Sequence, residues 1–283
     1  MKVWVTGARP RTLPAAVAPV VVASALAGND FAWAQALIAL VVSLLLQIGV
    51  NYANDYSDGV KGTDANRIGP TRITASGLAQ PAAVKRAAFL SFGGAALAGL
   101  YLAYTTTWWL ILVGFLAIIA AWGYTGGKNP YGYLGLGEIF VFLFFGVVAT
   151  CGTFYVQTQT LTKDAVVASI SMGFFACALL AINNIRDRAQ DALVGKRTLA
   201  VRLGDKNSRI FFALLIAAGY GCGIAASWPF GALTLLSLPV IVPAIQGLKR
   251  GASGVDLIPL LGRTGQVQLV YSALFTISIL LAR

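Results

Sequence analysis

Long apolar runs alternate along the chain with short, strongly basic polar stretches. A helix that crosses a bilayer needs about 20 mainly apolar residues. By that measure the runs predict spanning helices over 13–28, 36–52, 86–104, 107–124, 137–156, 165–185, 209–227, 230–247 and 265–282. The fold class expected is all-α: a polytopic membrane protein with nine transmembrane helices, forming one domain over 1–283. Arg9 and Arg11 precede the first apolar stretch, as the basic region of a secretory signal peptide would. Pro14 and Pro19 interrupt that stretch and the rest of the chain is polytopic, so a first membrane helix is predicted instead.

Composition agrees with the pattern. The chain is 58% hydrophobic and 11% charged, whereas soluble domains carry about 25% charged residues. It has no His, which excludes an imidazole base and a His-ligated metal. Cys151, Cys177 and Cys222 stand alone in apolar segments without metal-like spacing and are expected to be small buried residues.

The basic residues are distributed by side. Of the 21 Lys and Arg residues, all but Lys163 and Arg283 fall in the N-terminus or in the loops after even-numbered helices. That asymmetry places those loops in the cytoplasm of a cell-membrane protein. It also makes the +11 net charge a signal of topology rather than of nucleic-acid binding. Lys85, Arg86, Lys249 and Arg250 are read as interfacial anchors.

Only ten residues are acidic, and five of them sit in two short stretches at cytoplasmic helix ends. Asn51, Asn54, Asp55 and Asp58 share one helical face, with Asp64 further on. Asp187 and Asp191 share another, beside Asn183 and Asn184. The spacing Asn54-x-x-x-Asp58 recurs as Asn183-x-x-x-Asp187, which suggests pseudo-repeat halves of about 13–124 and 137–247 with a ninth helix appended. Carboxylates near a bilayer resist desolvation and repel one another, so a cation should neutralise them. Carboxylate and amide oxygens without His or Cys favour a hard ion such as magnesium. Lys61, Arg72, Lys128, Lys196 and Arg197 lie on the same side, and a metal ringed by such cations suits a polyanion such as a diphosphate. Apolar helices around it would hold a lipid tail.

The stretches "NDYSD" with Asp64 beyond, "YTGGK" and "NNIRDRAQD" together resemble the signature of the UbiA superfamily of intramembrane prenyltransferases. The resemblance implies nine helices around a central cavity, two Mg2+ ions, and a lipid diphosphate substrate. It implies metal roles for Asn54, Asp58, Asp64, Asp187 and Asp191, joined here by Asp55, and catalytic roles for Asp58, Asp187, Tyr124 and Lys128. Lys61, Lys128, Lys196, Arg197, Asn51 and Asn184 are the expected diphosphate contacts. "DGVKGTD", "GPTRITASG" and "NPYGYLGLGE" look like the menaquinone branch, which implies 1,4-dihydroxy-2-naphthoate as acceptor and a polyprenyl diphosphate as donor. Arg72, Tyr131 and Tyr133 are the acceptor-binding candidates. Two alternatives stay open on sequence alone: another aromatic acceptor, such as 4-hydroxybenzoate or homogentisate, and a divalent-cation or lipid transporter. Transport sites tend to lie near the midplane, whereas these carboxylates cluster at one face.

Overall fold

The structure, a computed structural model, describes residues 2–64 and 69–283. Arg67, counted above among the basic residues after the second helix, lies outside the described residues. The described chain is helical, in the order α1 (Lys2–Ala8), α2 (Pro14–Ala27), α3 (Trp33–Lys61), α4 (Pro81–Thr105), α5 (Trp109–Gly123), α6 (Gly137–Val141), α7 (Ala149–Thr158), α8 (Lys163–Leu193), α9 (Leu199–Ala226), α10 (Leu238–Lys249) and α11 (Leu257–Leu281). A π-helical stretch, Phe142–Val148, joins α6 to α7 into one continuous run.

Seven described helices are long and apolar enough to cross a membrane. The segment Lys2–Thr12 meets Pro14–Asp30 at a bend of 54°, and counting that pair as one span makes eight. Pro10 and Pro14 explain the bend, because neither ring nitrogen can donate a helical hydrogen bond. The remaining predicted span, α5, is apolar but has only 15 residues. At 1.5 Å per residue it is about 22 Å long, shorter than a bilayer core of about 30 Å. The multi-pass architecture therefore stands, with seven or eight spans by length.

The helices differ sharply in burial. In α8, 72% of the most apolar window is buried inside the protein, against 22% in α3 and 28% in α4. Phe175, Phe212, Tyr271 and Phe275 are fully buried in one apolar core, where α8 meets α9 and α11. Leu90, Leu97 and Trp109 point outward, as apolar side chains facing lipid can. Where helices approach closely the residues are small. A Cβ on Gly146 would stand 2.5 Å from the Cα of Gly173, so this contact between the π-helical stretch and α8 requires glycine.

Two helices run past their predicted ends. The second span was expected to finish at residue 52 and the sixth at 185, but α3 continues to Lys61 and α8 to Leu193. Gly62, at φ 73°, then stops α3 in the left-handed conformation that favours glycine. Asn54, Asp58, Asp187 and Asp191 are thereby carried on helix rather than on loops, while Asp64 lies just beyond the end of α3.

Candidate active site

The extension of α3 creates a graded face. Ala39, Val42, Leu46, Val50, Asn51, Asn54 and Asp58 all line one large cavity of about 1000 Å³. Apart from the adjacent Val50 and Asn51, their spacing of three and four keeps them on one side of the helix. The face turns from apolar to charged over about 28 Å of helix. On α8 the same gradation recurs: Ala176, Leu179 and Leu180, then Asn183, Asn184, Asp187 and Asp191 line the same cavity. One end is therefore rich in carboxylates and amides, and the other suits a hydrocarbon tail.

At the polar end the first motif is held by other elements. The Asp58 carboxylate accepts from the Tyr133 hydroxyl at 2.6 Å. Its second oxygen lies 3.1 Å from Lys196 Nζ and 3.9 Å from an Arg72 guanidinium nitrogen. Arg72 Nε also approaches Asp64 Oδ2 at 3.0 Å. Asn54 accepts from the Thr125 hydroxyl at 2.8 Å. Burial and the facing Asp58 charge push the Tyr133 phenol well above its ordinary value, so it stays a neutral donor. Burial likewise raises Tyr131. Tyr131 stacks on Phe140 with centroids 4.0 Å apart, and Phe144 continues the aromatic wall along the cavity.

The second motif supplies its own counter-ion. Arg186, next in sequence to Asp187, binds both of its oxygens at 2.7 and 2.8 Å. Asn184 donates to Glu138 Oε1 at 2.9 Å. Lys196 sits on the turn after α8, where its backbone nitrogen donates to the Asp191 carbonyl at 2.8 Å. That turn carries its ammonium across to Asp58, linking the two motifs.

The structure places several of the expected site residues off the cavity lining. Asp55, grouped with the metal ligands, is fully buried off the cavity lining, and its two oxygens accept from the backbone nitrogens of Ile73 and Thr74 at 3.0 and 2.8 Å. A carboxylate so engaged anchors the loop bearing Arg72. Lys128 and Arg197 are exposed and off the lining. Lys61 is also off it, donating to the Thr125 carbonyl at 2.7 Å and standing over the Tyr133 ring. Asn51 lines the cavity, but its amide nitrogen is engaged by Ala8 O and Thr12 Oγ1 at 2.8 and 2.9 Å, which ties down the amino-terminal segment. Tyr124 and Tyr131 line the cavity; Tyr133 does too, but its hydroxyl serves Asp58.

Sequence reading missed Arg9, Arg186 and Glu138. Arg9 and Arg186 line the cavity but register in the sequence only as topology charges. Glu138 is 6% exposed at the start of an apolar run, and a buried acid there was the available signal.

The donor set fits a hard cation. Asp58, Asp64, Asp187, Asp191, Asn54 and Asn184 present only oxygen ligands and amides to one cavity. No group of three acidic or thiol side chains among the described residues is drawn together as a ready metal cage. Lys196, Arg72 and Arg186 stand beside the carboxylates instead.

Comparison with known proteins agrees with this geometry. A model of the UbiA prenyltransferase family matches residues 16–256. The chain is 45% identical to the 1,4-dihydroxy-2-naphthoate octaprenyltransferase of Mycobacterium tuberculosis, covering 95% of this chain and 94% of that protein. Identity to the enzyme of the same name from Escherichia coli is 38%, covering 99% and 96%. Among solved structures, a UbiA homolog from Archaeoglobus fulgidus bound to GPP and Mg2+ superposes with a TM-score of 0.68 at 13% identity, covering 98% of this chain and 99% of that one.

Proposed function

The chain belongs to the UbiA prenyltransferase family, and on that premise we propose that it transfers a polyprenyl group from its diphosphate to 1,4-dihydroxy-2-naphthoate. Carbon dioxide is lost and demethylmenaquinol is formed, a step of menaquinone biosynthesis. The observation that carries this reading is the 45% identity over 95% of the chain to a 1,4-dihydroxy-2-naphthoate octaprenyltransferase.

The graded lining of the cavity supports an assignment for each part of the reaction. The diphosphate takes the charged end, where Lys196 and Arg72 supply fixed positive charge. Asp58, Asp64, Asp187 and Asp191, with Asn54, would hold magnesium, as two ions. Magnesium supplies Lewis acidity toward the leaving oxygens. The donor's allylic C–O bond breaks, and its electron pair leaves with the diphosphate. The aromatic wall of Tyr131, Phe140 and Phe144 shelters the allylic cation from water and presents ring faces to it. The ring carbon bearing the carboxylate attacks, the new C–C bond forms, and the bond to the carboxylate breaks as carbon dioxide departs. No strong side-chain base is required, which suits a chain without His.

The proposed membrane arrangement has nine spans around the cavity as a centre, with α5 as the short ninth. Leu110, Val113, Gly114 and Ala117 of α5 line the cavity, while Trp109 and Leu112 face outward. The matching polar gradients on α3 and α8 support the two half-bundles. The basic loops face the cytoplasm of the cell membrane. Cysteines placed at Asp64 and Lys163 should label from opposite sides; labelling of both from the same side would overturn this arrangement.

The reaction is tested with purified protein, magnesium, a long prenyl diphosphate and acceptor labelled in its carboxyl group. Labelled carbon dioxide should appear in step with prenylated product. Retention of the label, or use of 4-hydroxybenzoate alone, would overturn the acceptor.

A further inference from the structure

Arg186 is an unusual cation. Its side chain is 1% exposed, and it grips Asp187 through Nε and Nη2 at 2.7 and 2.8 Å. It nonetheless lines the cavity, and its third nitrogen, Nη1, is buried without a hydrogen-bond partner among the described residues. A buried guanidinium donor left unmet is costly. Gly69 lies against the same group: a Cβ there would stand 3.3 Å from Arg186 Cζ. The guanidinium is therefore shared between α8 and the loop that carries Arg72.

We propose that Arg186 is an exchangeable counter-ion: it neutralises Asp187 in the metal-free protein and passes to the diphosphate when magnesium and diphosphate arrive together. The physical reason is competition. A bidentate pair occupies both Asp187 oxygens, so a metal ion alone must displace a buried cation. A diphosphate offers that cation several acceptor oxygens, including a partner for Nη1. Metal and diphosphate then bind cooperatively, each improving the other's affinity by the same factor. The first motif behaves differently, because Asp58 shares Arg72 with Asp64 and also accepts a hydrogen bond from Tyr133. This inference rests on the prenyl diphosphate reading above.

Binding of Mn2+, followed by electron paramagnetic resonance without turnover, tests it. The probe is titrated into purified protein alone and with a non-cleavable prenyl thiolodiphosphate. In the wild-type protein the diphosphate should tighten Mn2+ strongly. In Arg186→Gln, Mn2+ alone should bind more tightly, on the order of tenfold, the contribution commonly made by one charged hydrogen-bonded pair. The gain on adding diphosphate should shrink. Arg186→Lys, which keeps the charge but not the bidentate grip, should fall between the two and covers the case in which Arg186→Gln does not fold. Arg188→Gln removes a neighbouring charge that pairs with Asp205 instead, and should leave Mn2+ binding unchanged. Equal Mn2+ affinity in wild type and both Arg186 variants, or an equal shift in Arg188→Gln, would overturn the exchange. Failure of the wild-type protein to bind Mn2+ with the analogue would instead overturn the prenyl diphosphate reading itself.

Discussion

The two aspartate motifs share a spacing but not a method of neutralisation. At the end of α3, Asp58 draws on residues distant in sequence: Tyr133, Lys196 and Arg72. At the end of α8, Asp187 is gripped by the adjacent residue in the chain. The first motif is thus assembled by the tertiary structure, and its geometry depends on three separate segments arriving together. The second places one of its counter-ions beside the acid on the same helix, so that pair needs only a helix long enough to present it. A site built from both gains rigidity on one side and exchangeability on the other.

The comparison breaks most readily at the carboxylates. Asp58→Asn and Asp187→Asn keep size but remove the charge, and each should lower turnover by about a hundredfold or more, as the loss of one preorganised electrostatic group does elsewhere. Steady-state rates on folded, membrane-inserted protein check this. Normal turnover in Asp187→Asn would remove the second motif from the site.

Removing the bridge between the motifs comes next. Lys196→Ala leaves Asp58 with only the more distant Arg72, at 3.9 Å, as a buried cation, and losses of 2–5 kcal/mol are usual when one partner of such a pair is truncated. The defect should appear chiefly in KM for the prenyl diphosphate. Lys128→Ala, altering an exposed residue, should do markedly less, and an equal or larger effect would reverse the ranking of these two lysines.

Tyr133→Phe deletes one hydrogen bond to a charged acceptor, so a loss of about 1.5–3 kcal/mol in transition-state stabilisation is expected. Its pH behaviour carries a sign. The phenol is raised above its ordinary value of 10.0 in the folded protein, so its contribution is constant below that pH and is lost only as the pH rises beyond it. Wild type and Tyr133→Phe should therefore show parallel profiles through neutrality. Divergence near pH 7 would mean that the phenol titrates there.

Asp55→Ala should mainly cost stability, because it strips the Ile73 and Thr74 nitrogens of their acceptor. Thermal melting in detergent should show the loss, with a smaller effect on chemistry than Asp58→Asn. A melting temperature unchanged beside a collapsed rate would return Asp55 to the metal set. Smallest of all is Asp164→Asn, at the opposite end of α8 from Asp187. It should leave turnover as it was.

Much of this was legible in one dimension. Apolar length and the sidedness of Lys and Arg reveal the helices and the membrane, because hydrocarbon tolerates little else. Helical spacing alone groups Asn54 with Asp58 and Asp187 with Asp191, since three- and four-residue intervals share a face. What sequence could not assign was the partner of each charge. Asp55 and Asp58 look equivalent along the chain, yet one faces the cavity and the other anchors a loop. Lys128 and Lys196 look equally suited to an anion, yet only Lys196 is carried inward by its turn. Arg186 looks like one more topology charge until α8 extends far enough to bury it. Membrane insertion depends on local apolar content summed along each helix. An ion pair depends on ångström distances between segments far apart in sequence, and those are decided only when the helices pack.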